Sequence, residues 1–344
     1  MKILVTGATG YVGGRLVPRL LHDGHEVRVA TSDASRPGPW WSDRVETVQM
    51  DVLDARQVLA AADGVDAIYY LVHGMGGDSF VENDRRGAQN MAAAVAAHEV
   101  DRVVYLSGIV PDVPQGELSD HISSRLEVER ILTESPATVI TLRAAVIMGS
   151  GSTSFEIIRQ VSERLPVQTV PDWMRSQVQP IAVVDVVEAL VGALTVRTAS
   201  RSYDVGGPDV LPYPDLLEEY AQIAGLTRPQ VTIPLLPTQL VGTMVGTLTD
   251  VPRSVVEALV ESLHHDMVAA EDDFRRDLLP TGYHLLDLAG AIRRSLAPAG
   301  PDPATSDPMG PLPQDPRWAQ GGDARPAVAK VVDAIKDLTS GGER

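Results

Sequence analysis

The first sixteen residues constrain this chain more than any other stretch. Lys2-Ile3-Leu4-Val5 reads as a short buried strand, and Thr6-Gly7-Ala8-Thr9-Gly10-Tyr11-Val12-Gly13-Gly14 turns the chain into a helix starting near Tyr11. The glycines at Gly7, Gly10 and Gly13 follow a G-x-x-G-x-x-G spacing, which differs from the dinucleotide fingerprint G-x-G-x-x-G. A pyrophosphate needs backbone N–H donors at close range and the positive end of a helix, and a Cβ at Gly7 or Gly10 would obstruct that approach. Gly13 lets the helix pack tightly on the strand, while Thr9, Tyr11 and Val12 complete the turn. The helical run Val12, Leu16, Val17, Leu20, Leu21 supplies the context that a glycine motif alone lacks. The alternative is a purely structural strand–helix turn.

After this turn, strands and helices alternate. Strands are expected over residues 25–31, 45–50, 65–72, 102–107 and 138–142, with helices over 55–62, 80–98 and 120–135 between them. Such alternation predicts an α/β protein with a doubly wound parallel sheet. The predicted organisation is a dinucleotide-binding Rossmann-type domain over 1–150, with residues 178–206 returning to it, and a smaller lobe over 151–296 that mainly covers the substrate. An extended Pro/Gly-rich linker or arm follows over 297–326. The chain then ends in an amphipathic helix within 327–344, whose stripe Val328, Val331, Val332, Ile335, Leu338 must bury against the body or a second subunit. That stripe is the expected contact of a homo-oligomer.

Ligands of open parallel sheets bind outside the C-terminal ends of the strands. The tip of the second strand, roughly 20 residues past the glycines, is where an adenosine ribose is read. This chain offers Thr31, Ser32, Asp33 and then Arg36 there, with no acid at the tip itself. Hydroxyls and arginine accept a 2′-phosphate, so NADP(H) is favoured over NAD(H), although Arg36 also reads as a solvated loop residue. Asp51 and Val52 can take the adenine amine and ring, whereas Asp54 suits the N-cap of the next helix. Leu71-Val72-His73 and Ser107 lie at later strand tips. His121 and Arg125, four residues apart, share one helix face.

The net charge of −17 argues against nucleic-acid or anionic-membrane partners, which require a basic footprint. The absence of cysteine excludes thiolate metal sites and cysteine nucleophiles. His264-His265-Asp266 does not suit a metal, because adjacent helical positions point apart, and no metal is expected. The chain enters its first strand without a signal sequence, so a cytoplasmic location is expected. Residues 229–249 carry no charge, but Pro234 and Pro237 interrupt them and the helix over 240–248 is too short to span a membrane. That segment reads as buried core, or as the wall of a pocket for an apolar small-molecule substrate. Asp185 is expected to cap the helix that begins in Ile181–Val187.

Taken together, TGATGYVGGRLV at Thr6–Val17, MDVLD at Met50–Asp54, YLVHGMG, VVYLSG at Val103–Gly108, LRAAVIMG at Leu142–Gly149, IAVVDVV at Ile181–Val187 and YDVGGP at Tyr203–Pro208 resemble the atypical or extended branch of the short-chain dehydrogenase/reductase superfamily. The likeness is greatest to NmrA-like and nucleoside-diphosphate-sugar epimerase-like bacterial proteins. The resemblance implies a nicotinamide cofactor held by the glycine turn, by Leu71, Val72 and His73, and by Ala144, Ala145 and Val146. It also implies a Tyr-x-x-x-Lys pair on the helix after the serine strand. This chain has His121-Ile122-Ser123-Ser124-Arg125 there, and Gly108 where many relatives carry the catalytic serine, one residue beyond Ser107. Histidine can act as a general acid, and arginine can hold ribose hydroxyls but cannot share protons. The leading expectation is an NADP(H)-dependent oxidoreductase of an apolar carbonyl or enone, with Ser107, His121 and Arg125 as its catalytic set. The alternatives are a proton drawn from water, a catalytically silent nucleotide-binding sensor or structural subunit, and, less supported, a sugar-nucleotide epimerase or dehydratase.

Overall fold

Strand parity organises the molecule. In the computed structural model, which describes residues 1–319 apart from 37, 75–78 and 235, six strands run parallel: β1 (Lys2–Val5), β2 (Glu26–Thr31), β3 (Glu46–Gln49), β4 (Ala67–Tyr70), β5 (Arg102–Gly108) and β6 (Thr138–Ala144). A seventh parallel strand, Arg201–Val205, pairs with the outer edge of β6, and β3 forms the opposite edge. From that edge the order is β3, β2, β1, β4, β5, β6 and Arg201–Val205, the doubly wound arrangement. The order reverses between β1 and β4, which places the glycine turn at the crevice where such sheets bind ligands.

Successive side chains point to opposite faces of a strand. Ile3, Val5, Tyr69 and Val104 therefore join one buried layer with Leu16, Leu20, Val186 and Leu190 from α1 (Gly13–His22) and α6 (Val183–Thr195). Leu4, Ile68, Tyr70 and Val103 join the other, with Val58 of α2 (Ala55–Ala61), Met91 and Val95 of α3 (Phe80–Ala97), and Val128 and Ile131 of α4 (Asp120–Thr133). Asp54 caps α2 by accepting the amides of Arg56 and Gln57. Asp185 does not cap its helix as expected. It lies in the first turn of α6, where its carboxylate accepts the Tyr283 hydroxyl and the Leu286 amide and ties down the 283–286 segment.

The first layer runs on into a lobe built from α5 (Thr153–Arg164), α7 (Tyr213–Ile223), α8 (Thr238–Leu248), α9 (Arg253–Ser262), a short helix α10 (Asp273–Asp277) and α11 (Leu288–Ser295). One two-stranded ribbon ties the lobe to the sheet, pairing Ile147–Met148, just beyond β6, with Ile181–Ala182, at the start of α6, and two more lie within the lobe. Helix α1 carries Pro18 in its interior, which removes the donor that would reach the Gly14 carbonyl. That carbonyl is taken instead by the indole N–H of Trp41 at 3.3 Å and the amide of Gln314 at 3.4 Å.

Gln314 belongs to the Pro/Gly-rich stretch after α11. Residues 297–319 lie along the body, with Met309, Leu312 and Ala319 buried. The terminal amphipathic helix in 327–344, with the homo-oligomer contact expected of it, falls outside the described residues, as do residues 320–326 and the loop residues 75–78. Among the described residues no helix is long and apolar enough to cross a membrane.

Candidate functional site

The glycine turn opens onto a cleft of about 530 Å³. Gly7, Thr9, Gly10, Tyr11, Val12 and Gly13 form its floor; Leu71, Val72, His73 and Ser107 come from the ends of β4 and β5, and Ala144 and Ala145 from the end of β6. Arg125 reaches in from α4, and Pro316 and Trp318 close one side.

The glycines have separate reasons. Gly7 has φ +65°, and a Cβ there would stand 2.7 Å from the Leu71 carbonyl oxygen, so the fold itself requires glycine at that point. A Cβ at Gly13 would lie 2.3 Å from the Gly7 carbonyl oxygen, which blocks the close start of α1. Gly10 is exposed, and a Cβ there would meet only the Gly7 oxygen at 3.1 Å. Its lack of a side chain matters mainly to whatever enters the cleft. The backbone N–H groups of Tyr11, Val12 and Gly13 make no hydrogen bond among the described residues, as expected at a helix start.

Two buried polar atoms on the cleft wall, the Tyr11 hydroxyl and His73 Nδ1, likewise have no partner among the described residues. A polyanionic dinucleotide would satisfy the free backbone donors of Tyr11, Val12 and Gly13 at the helix start, so the glycine turn fits a nicotinamide cofactor.

A second cavity of about 100 Å³ adjoins the cleft, sharing Arg125, Ala144, Ala145, Ser154 and Leu259 with it. His121 and Val146 line this second cavity, not the cleft. The His121 imidazole stacks on Phe80, with ring centroids 4.4 Å apart. Burial, and then the Arg125 charge, lower its pKa below 6.5. Period two puts Ser107 on the α4 face of β5 with Val103 and Tyr105. Its Oγ is buried and makes no well-formed hydrogen bond, although the Tyr105 hydroxyl stands near it. Arg125 thus belongs to both spaces, while Ser107 and His121 each line one of them.

Gly108 explains part of the departure from the short-chain dehydrogenase/reductase pattern. A Cβ there would lie 2.7 Å from Nη1 of Arg125, so the guanidinium occupies the room that a serine side chain would need. Glycine at 108 and arginine at 125 act as one steric change.

The adenosine-side candidates sit apart from the cleft, at the C-terminal edge of β2 and β3. Thr31 Oγ1 engages the Asp33 backbone at 3.3 Å, and Arg36 is 83% exposed and pairs with Asp33 at 3.2 Å. Ser32 adjoins them. Asp51 is exposed, and its Oδ1 accepts the Leu53 amide at 2.9 Å. Val52 is held by Asn90 of α3, whose amide donates to its carbonyl at 2.8 Å.

Two features escape a reading by local pattern. Asp84 of α3 accepts the Gly74 amide at 2.7 Å and the Ser124 hydroxyl at 3.1 Å, tying the loop after β4 to α4. The other is Arg15, one turn into α1. It is held by Asp315 and by the carbonyls of Tyr11, Ser150, Pro308 and Gly310, with its guanidinium 3.9 Å from the Tyr11 ring centre. Neither has a local signature; each depends on residues brought together only by folding. His264 stacks on Trp173, and among the described residues no group of three or more His, Asp or Glu is placed to hold a metal ion.

Fold and cleft together have the form of a Rossmann-type dinucleotide-binding domain. Residues 7–172 match the family described as NAD(P)H-binding. The chain is 30% identical over 187 residues to a 2-alkyl-3-oxoalkanoate reductase of Stenotrophomonas maltophilia, covering 48% of this chain and 56% of that one. It is 34% identical over 117 residues to a 3 beta-hydroxysteroid dehydrogenase/Delta 5-4-isomerase of Mycobacterium tuberculosis, covering 31% of each. The chain therefore spans 56% and 31% of the length of these two relatives. A nucleoside-diphosphate-sugar epimerase of Staphylococcus aureus shares the fold with a TM-score of 0.68 at 12% identity, over 85% of this chain and all of that one. Residues 7–172 thus form a Rossmann-type domain similar to NAD(P)H-binding domains, and reductases and steroid dehydrogenases are among the proteins this chain resembles.

Proposed function

We propose that this protein is an NADP(H)-dependent reductase of an apolar carbonyl or enone. The observation that carries the reading is that the cleft and the His121 cavity lie side by side, with Arg125, Ala144 and Ala145 in the walls of both. Held by the glycine turn and the strand tips, a reduced nicotinamide would supply hydride to the substrate carbon. The His121 imidazolium gives its proton to the oxygen, leaving an alcohol, a neutral imidazole and the oxidised cofactor. Ser107 orients the carbonyl, and Arg125 holds ribose hydroxyls at the boundary of the two spaces. Arg36 supports NADP(H): its pair with Asp33 is exposed and worth at most about 1 kcal/mol, so a 2′-phosphate can displace it. A 2-alkyl-3-oxoalkanoate reductase and a 3 beta-hydroxysteroid dehydrogenase among the relatives accord with an apolar substrate.

A second reading, a catalytically silent nucleotide-binding sensor or structural subunit, draws on the separation of Ser107 from His121. The sugar-nucleotide reading has least support, because the space beyond His121 is walled chiefly by aliphatic side chains. NADPH oxidation across a panel of apolar ketones and enones decides between the first two. His121→Ala is expected to lower kcat at least tenfold while leaving the Kd for NADPH within about twofold. Because the histidine pKa is lowered from 6.5, carbonyl reduction should quicken as pH falls toward that pKa, and alcohol oxidation should level off above it. Tight nucleotide binding with no turnover, or an unchanged His121→Ala enzyme, would sink the catalytic assignment.

A further inference from the structure

Behind the His121 cavity lies a third space of about 70 Å³, between α5, α7, α8 and α9. It shares Ile157, Tyr213, Val260 and Leu263 with the His121 cavity, so the three spaces follow one another from the glycine turn to the far side of the lobe. Its chemistry differs from that of the cleft. Leu217 of α7 and Val241, Met244 and Val245 of α8 form much of its wall. The Gln168 amide, which also lines it, is already engaged by the Ser162 hydroxyl at 3.0 Å and by Gln230 at 3.2 Å. Tyr213 stands where the second and third spaces meet, and its hydroxyl has no hydrogen-bond partner among the described residues. Beyond Tyr213 the wall offers a polar ligand very little, and an apolar cavity of this kind takes hydrocarbon in preference to water.

The roof of this space is the uncharged segment that the sequence left open between core and pocket wall. Gly242 and Gly246 seat α8 closely on α9: a Cβ at either would stand 3.2 Å from the Glu257 Cγ or 3.0 Å from the Arg253 Cγ. The apolar side chains between those glycines, Met244 and Val245, then face the space beneath.

We propose that this third space is a tail site for an unbranched alkyl chain, the substrate being an open-chain carbonyl compound whose head lies beside His121. The assignment rests on the reductase reading, and deepens it. The two cavities share four wall side chains, and volumes of about 100 and 70 Å³ suit a thin chain better than a broad fused-ring occupant. The substrate's length is read by α8 and its carbonyl by α4. Met244, partly exposed and unbranched, closes the tail site without being part of the core, and sets how much chain it accepts.

The test measures binding and turnover separately. 2-Pentanone, 2-heptanone, 2-nonanone and 2-undecanone are titrated calorimetrically into the protein saturated with NADP⁺, and the same ketones are assayed as substrates with NADPH. Affinity is expected to rise about fourfold per methylene while the tail site fills, and then to level off. Met244→Trp should move the plateau to shorter chains, and Met244→Ala to longer ones, with NADPH affinity unchanged in both; the alanine variant keeps the test open if the tryptophan variant does not fold. Length-dependent binding without NADPH consumption upholds the tail site and removes the reductase reading. NADPH consumption that is indifferent to chain length, or binding of bicyclic 2-decalone as tight as that of 2-decanone, overturns the tail site and leaves the reductase reading standing.

Discussion

Arg15 and Asp315, three hundred residues apart, meet in a two-pronged ion pair at 2.8 and 3.0 Å, with side chains only 1% and 2% exposed. Arg15 follows the glycine turn directly, and Asp315 precedes Pro316 and Trp318, which wall the cleft. The pair therefore fixes the C-terminal arm to the element that forms the cleft floor.

Breaking a buried pair by removing one member leaves the other charge without its main counter-ion, at a cost of about 3–5 kcal/mol. Asp315→Ala should lower unfolding stability by about that much in urea titrations. It should also expose residues 307–319 to limited proteolysis and weaken NADPH binding. The double variant Arg15→Met/Asp315→Leu, which removes both charges, should recover a substantial part of the stability. Equal losses in the single and double variants would mean that the pair is not what holds the arm.

The glycines of the turn should separate by experiment. Gly7→Ala forces an L side chain to φ +65° against the Leu71 carbonyl and is expected to cost at least about 2 kcal/mol of stability. Gly10→Ala should leave stability nearly unchanged and weaken NADPH binding by about tenfold, equivalent to about 1.4 kcal/mol. Thermal melts and calorimetric titration of both variants check the contrast, and it fails if the two behave alike.

His73 predicts an acid-sensitive fold. Burial is the largest cause holding its imidazole down to about 3, from an ordinary value of 6.5, with the Arg125 charge adding to it. Between those two values the unfolded chain binds a proton that the folded chain refuses. Its contribution is therefore fully present above pH 6.5 and is lost as pH falls toward 3, at up to about 1.4 kcal/mol per pH unit. His73→Gln, compared with wild type in urea titrations at pH 7 and pH 5 without added nucleotide, should show a smaller loss at the lower pH. Parallel losses would assign the acid sensitivity to other groups.

Much of the site was legible because its signals are local. The glycine turn, the strand-tip residues from Leu71 to His73, and Ser107 are marked by short-range pattern, and parallel strands bring their tips to one edge; Ala144 and Ala145 came only from the family resemblance. His121 and Arg125 were found by helix spacing, yet which space each would line was not. That depended on the Phe80 ring packed on His121 and on the glycine at 108 that admits the guanidinium. Asp185 shows the limit of a local rule: its spacing suggested a cap, but Tyr283 and Leu286, brought in by folding, offered better partners.

By itself the sequence determined the alternation of strands and helices, the first six strands of a parallel sheet, and the glycine turn between the first strand and its helix. Each of these follows from side-chain period or from backbone freedom at one residue. Only the tertiary structure decided that Arg15 would find Asp315, that the free carbonyl below Pro18 would find Trp41 and Gln314, and that α8 and α9 would roof an apolar space in line with the cleft. Those outcomes rest on burial and on the pairing of polar groups far apart in the chain. A buried guanidinium or carbonyl must be satisfied by whatever the fold brings within 3 Å or so, and nothing in the local sequence names that partner.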